Sequence, residues 1–120
     1  MQNSYFFYAG LVLLTVHEMD AVRCHEWRIL PVLRSLDDPL GYTLFTLLHV
    51  PLYYWIFRQL TFGNDSAAFR LGFDAFFIIH VGLHYLLRQH RHYEFTDWLS
   101  KSVIVGAGLC GLIDLYAVLG

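Results

Sequence analysis

With 57% hydrophobic residues, only 15% charged residues and a mean hydropathy of +0.46, this 120-residue chain departs from the composition of a water-soluble domain, in which about a quarter of the residues are charged. A formal net charge of −2, without any basic run, gives no basis for nucleic-acid binding. Cys24 and Cys110 form no CxxC pair, so neither a disulfide framework nor a zinc knuckle is expected. At ~20 residues per span, the length accommodates four membrane-crossing helices with tight connections. The expected fold is an all-α four-helix transmembrane bundle forming one integral membrane domain over residues 1–120.

The first span is expected over about residues 4–24. The chain start lacks the positive n-region and small-residue cleavage site of a secretory signal peptide, so it is read as a retained span. It continues as an interfacial helix towards Leu30 and is broken by Pro31 and the polar stretch from Arg34 to Pro39. Its second half carries His17, Glu18 and Asp20.

The second span covers about residues 41–62, carries His49, and contains Pro51, which is expected to bend it. A turn is read at residues 63–66. The third span, about residues 67–89, holds His80 and His84 as HxxxH, an i,i+4 pair on one helical face. A polar link from His90 to Glu94 leads to the fourth span, about residues 96–118, with Thr96 or Asp97 as N-cap. Within it, Gly106 to Gly111 reads as GxGxxG, but it follows no strand and lies in an apolar run, so the dinucleotide reading fails. Ser102, Gly106 and Cys110 repeat every four residues and are read as a small-residue packing face.

Positive charge sets the expected orientation. Arg23, Arg28, Arg34, Arg88, Arg91 and Lys101 flank the first and third connections, against Arg58 and Arg70 on the opposite side. Loops one and three are therefore placed in the cytoplasm and both termini outside, as in a bacterial inner-membrane protein. On that topology His17, His49, His80 and His84 fall in one layer ~10 Å inside the cytoplasmic ends of their helices. Asp74 and Asp114 fall in the outer half and are read as packing or interfacial residues.

Ionisable groups at membrane depth are costly and generally face a bundle interior or a functional cavity. The expected metal ligands are His17, Asp20, His49, His80 and His84, on facing helices as in bundle metal sites. His17 and Asp20 form an i,i+3 pair, and Glu18, rotated about 100° from His17, is assigned the catalytic role. Iron, zinc and manganese all suit such a donor set. A carboxylate beside such an ion suits hydrolysis or oxidation of a lipid-like substrate entering from the bilayer. Two alternatives use the same residues. Bis-imidazole haem ligation, by His49 with His80 or His84, leaves Glu18 and Asp20 unexplained. A non-enzymatic accessory subunit would use them as interhelical glue, worth ~0.6 kcal/mol per bond. His90 and His92 are read as part of a solvated loop. A homodimer through the glycine face of the fourth span, or a partner membrane protein on the aromatic outer faces, also fits.

The segments HEMDAVRCHEWR, HVPLYYW and HVGLHYLLRQHRHYEFTDWLSKSVIVGAGLCG resemble a family of small bacterial integral membrane proteins of unknown function. The resemblance covers most of the chain and implies a four-helix membrane protein. It brings no established activity, so no catalytic role is carried over from it.

Overall fold

The structure, a computed structural model, describes residues 4–63 and 67–120. They form four α-helices and no strand: α1 (Tyr5–Arg23), α2 (Asp38–Phe62), α3 (Ala67–Leu87) and α4 (Trp98–Leu119). The expected turn at 63–66 lies, beyond Gly63, outside the described residues. Two helix starts are set by aspartates. Asp37 accepts the backbone N–H of Leu40 at 3.1 Å, with Asp38 and Pro39 in the first turn of α2. Asp97 accepts the N–H of Ser100 at 2.9 Å and caps α4. That N–H, with the Ser100 hydroxyl, holds the Asp97 carboxyl below the usual carboxylate range.

The interfacial continuation of α1 towards Leu30 does not form. The helix stops at Cys24, and His25 adopts the left-handed conformation (φ 52°, ψ 50°). The chain then closes into two short 3₁₀ turns, Glu26–Arg28 and Leu33–Ser35. A left-handed residue reverses the chain direction, and histidine tolerates this region better than most residues with a Cβ. α2, in contrast, runs unbroken as α-helix through Pro51.

Three of the described helices, α2, α3 and α4, are long and apolar enough to cross a membrane. At 1.5 Å per residue their 21 to 25 residues span ~32–37 Å, matching a hydrocarbon core of ~30 Å. α1 is not among them; its second half carries His17, Glu18, Asp20 and Arg23. Large apolar side chains point outward along the apolar helices, including Leu47, Leu48 and Phe57 of α2, Ile79 and Leu86 of α3, and Leu109 of α4. A continuous apolar exterior of this kind fits lipid rather than water.

α4 lies centrally, packed along both α1 and α3, whereas the backbone of α2 comes nearest the rest at the 3₁₀ turns and its side chains reach α1 and α3 through His49 and Trp55. The helix contacts are set by small residues. A Cβ at Gly111 would stand 2.8 Å from the Asp74 carbonyl, and one at Gly108 2.4 Å from the Val81 side chain. The face turned to α3 is therefore Gly108 and Gly111, while Ser102 is exposed and Gly106 and Cys110 are only half-buried. Gly106 and Cys110 of the every-fourth-residue stripe face α1 instead, where a Cβ at Gly106 would stand 3.0 Å from Leu13 and one at Gly10 would stand 3.4 Å from the Cys110 Cβ.

The first and third connections meet at one end of the bundle. Arg23 pairs with Asp97 at 3.1 Å, and both His25 (3.0 Å) and Arg28 (3.3 Å) reach Glu94. Arg28 also pairs with Asp38, which accepts the Trp27 indole N–H at 3.0 Å. These contacts clamp the turn after α1 onto the starts of α2 and α4. The clamp positions the residue that completes the site described next.

Candidate metal centre

HxxxH on α3 places the His80 and His84 rings on one face, with their Nε2 atoms 3.1 Å apart. His17 of α1 packs against both, with ring centroids 4.6 Å from His80 and 4.9 Å from His84. The reversal at His25 returns Glu26 beneath the end of α1, where its Oε2 lies 3.7 Å from His17 Nε2. One ligand atom from each of His17, Glu26, His80 and His84 then lies within 4.8 Å of every other. Nitrogens about 2.0–2.1 Å from a tetrahedral ion stand roughly 3.3 Å apart. The 3.1 Å between His80 and His84 and the 3.7 Å between His17 and Glu26 are near that spacing, and the wider pairs would draw in around a shared ion.

The hydrogen bonding of the group is incomplete from protein atoms alone. Both ring nitrogens of His17, Nδ1 of His80 and Oε2 of Glu26 are buried without a hydrogen-bond partner. Leaving such atoms unpaired costs about 1–3 kcal/mol each. Burial pushes the Glu26 carboxyl up to about 8, with the Glu18 charge adding to the rise and His49 opposing it. An ion bound among these atoms would satisfy the lone pairs and hold Glu26 ionised.

The surroundings orient the rings. Tyr93, from the link between α3 and α4, sets its hydroxyl 3.0 Å from His84 Nδ1. Burial raises the Tyr93 phenol to about 12, so it stays protonated at neutral pH. The remote nitrogen of a ligand imidazole is commonly held in this way. Phe95 lies edge-on to His84 at 4.8 Å, and Phe76 stacks on His80 at 5.4 Å.

The other sequence-derived candidates fall into separate arrangements. Glu18 Oε2 lies 2.5 Å from His49 Nε2, and His49 Nδ1 lies 2.6 Å from the Phe45 carbonyl. A carbonyl only accepts, so Nδ1 carries a hydrogen and a further proton is shared between Nε2 and Glu18. Glu18 and His49 thus form a proton-holding dyad between α1 and α2, next to the cluster rather than in it. Asp20 turns towards α4 instead. It accepts Arg23 Nε at 2.8 Å and the Ser100 hydroxyl at 2.5 Å, so its lone pairs are spent on packing contacts. In the opposite half of the bundle, Arg70 grips Asp114 through two bonds of 2.7 and 2.5 Å, with Asp74 buried nearby.

Glu18 also lines the largest cavity described, a crevice of about 690 Å³ between α1, α2 and α3. Its walls are mostly apolar and aromatic, including Leu14, Trp55, Phe69, Phe73 and Phe76, with Gln59 and the Tyr53 hydroxyl as further polar groups. Phe76 joins this crevice to the cluster, because its ring covers His80.

Glu26 and Tyr93 are the site residues that sequence reasoning does not find. Glu26 lies nine residues after His17, which on a continuing helix is half a turn away and ~13 Å along the axis. No glycine marks the reversal at His25. Tyr93 sits in the HRHYEF link, where aromatic residues are equally expected at a membrane interface.

Residues 3–120 match DUF6713, a family of unknown function, and the chain belongs to that family. No curated protein and no solved structure matches it.

Proposed function

We propose that this DUF6713 member is a single-domain integral membrane protein that binds one transition-metal ion through His17, Glu26, His80 and His84. The observation carrying this reading is the convergence of four donor atoms within 4.8 Å, several of them buried without a partner. Relative to the donor set expected from the sequence, the proposal replaces Asp20 with Glu26 and moves His49 from the ion to Glu18. Three imidazoles and one carboxylate suit iron, zinc or manganese. The donors lie near the end formed by the first and third connections, which charge asymmetry assigns to the cytoplasmic side of a bacterial inner membrane.

The reaction supported best is hydrolysis or oxidation of a lipid-like molecule. The ion would act as a Lewis acid or redox centre. The chain's own residues supply the rest. The crevice takes the apolar part of the substrate and excludes water. Glu18, at its inner wall, shares one proton with His49 Nε2, whose Nδ1 hydrogen is anchored on the Phe45 carbonyl, so the dyad is placed to give that proton to a substrate in the crevice and to take it back. Haem ligation finds less support, because His49 Nε2 is engaged by Glu18 and the His80 and His84 rings pack edge to face at 4.5 Å.

Elemental analysis of protein purified in detergent without chelators tests the proposal. About one ion per chain is expected in the wild type, and near zero in His80→Ala and His84→Ala. No stoichiometric metal in folded wild-type protein would overturn it and leave the polar layer as structural glue in an accessory subunit. A Soret band would replace it with haem.

A further inference from the structure

A second cavity, of about 440 Å³, lies between the end of α3 and the start of α4 and shares no lining residue with the crevice. Its polarity is graded along the bundle axis. Arg88, Gln89, Thr96 and Lys101 line one end and Val81, Ile104 and Val105 the other, with His84 and aromatic side chains completing the wall. Val81 lies seven residues, ~10 Å, before Arg88, and Val105 lies four residues, ~6 Å, after Lys101. The cations therefore sit at the mouth and the valines deeper, among residues that face lipid.

The distribution of charge at this end of the molecule makes the cavity distinctive. Glu94 is held by His25 and Arg28, Asp97 and Asp20 by Arg23, and Asp38 by Arg28. The acids are thus consumed by cations of α1 and the turn that follows it. Neither Arg88 nor Lys101 has a carboxylate partner among the described residues. Arg88 is nonetheless positioned, with its guanidinium 3.7 Å from the Tyr85 ring centroid and Nη1 donating to the Tyr85 carbonyl at 2.6 Å.

We infer that this cavity is a binding site for one anionic phospholipid, with its headgroup between Arg88 and Lys101 and an acyl chain against Val81, Ile104 and Val105. Two cations without acids of their own complement a phosphodiester, and basic pockets between spanning helices take such headgroups. The apolar inner wall distinguishes a lipid from free phosphate, which would leave that surface uncovered. The Tyr93 ring lines the cavity while its hydroxyl meets His84, so the lipid would lie against the outer side of the imidazole cluster. The inference holds whether or not the cluster binds metal.

Native mass spectrometry of the whole protein in neutral detergent tests it, by titration with dioleoylphosphatidylglycerol, dioleoylphosphatidylcholine and inorganic phosphate. One phosphatidylglycerol is expected to bind at least about tenfold tighter than phosphatidylcholine, with free phosphate not retained. The double variant Arg88→Gln/Lys101→Gln should lose that preference, Arg88→Lys/Lys101→Arg should restore most of it, and Arg58→Gln, on α2, should leave it intact. Far-ultraviolet circular dichroism checks that each variant keeps its helices. Equal binding of the two lipids, full preference in the folded double variant, or phosphate binding as tight as the lipid would each overturn the assignment.

Discussion

Two buried polar groups lie at different heights of the same bundle, and they differ in how their charge is answered. In one, Asp114 of α4 accepts two hydrogen bonds from Arg70 of α3, and opposite charges meet in a bidentate pair. In the other, three imidazoles and Glu26 point donor atoms at one another, and several find no partner. A bidentate ion pair inside a bundle holds helices in register. Lone pairs that converge and stay unanswered require a cation or protons. The same burial thus yields a structural clamp in one half and a candidate site in the other.

Breaking the clamp is expected to have the largest effect. Asp114→Ala removes the bidentate partner of a buried guanidinium and should destabilise the protein by about 3–5 kcal/mol. Unfolding in mixed micelles measures this, and a loss below ~1 kcal/mol would show that the pair is not the clamp described. Metal occupancy in this variant, assayed where it remains folded, should stay near that of the wild type.

Tyr93→Phe addresses the other half. Loss of the hydroxyl at His84 Nδ1 should weaken metal binding about 10- to 100-fold with little change in fold. Competition with a chelator of known affinity measures the shift, and unchanged affinity would remove Tyr93 from the site.

Glu26 makes the second group pH-dependent. In the metal-free protein its carboxyl keeps a proton up to about pH 8. An ion must displace that proton, so apparent affinity should fall by up to about tenfold per pH unit as pH drops below 8. Glu26→Gln should bind more weakly and lack this component of the slope. The same shift gives the sign for folding. A carboxyl raised from 4.5 to about 8 adds stability at low pH that is lost as pH rises through that window, so metal-free protein should weaken there. A flat stability profile across that range would count against a buried, protonated Glu26.

The smallest effect is expected at Asp20. Asp20→Asn keeps one acceptor for Arg23 and Ser100, should cost about 1 kcal/mol of stability, and should leave metal stoichiometry unchanged. Lost metal in a folded Asp20→Asn protein would return Asp20 to the ligand set and displace Glu26.

Much of this organisation is legible in the residues themselves. Apolar runs separated by Pro31, Pro39 and the polar links mark four helices, and HxxxH marks one face of α3. The helices start and end within about three residues of the expected spans, and Asp97 caps α4 as read, whereas Asp37, the cap of α2, lies in a stretch read only as a break. Asp20 illustrates the limit of such reading. Its i,i+3 spacing from His17 sets the two about 60° apart around α1, close enough to share a site or to face different neighbours. Ser100 and Arg23 draw Asp20 to α4, while His17 turns to α3.

The chain by itself determined the four-helix class, the position of each ionisable residue along its helix and the pairing of His80 with His84, since each follows from helical period or composition. Tertiary structure alone decided that Glu26 joins those histidines, that Tyr93 supports one of them, and that α2 stands off to open a crevice at Glu18. Each of these depends on where the chain turns after α1 and how closely α4 admits its neighbours. Those are long-range outcomes, set by the left-handed His25 and the close approach at Gly111, and no periodicity within a single helix encodes them.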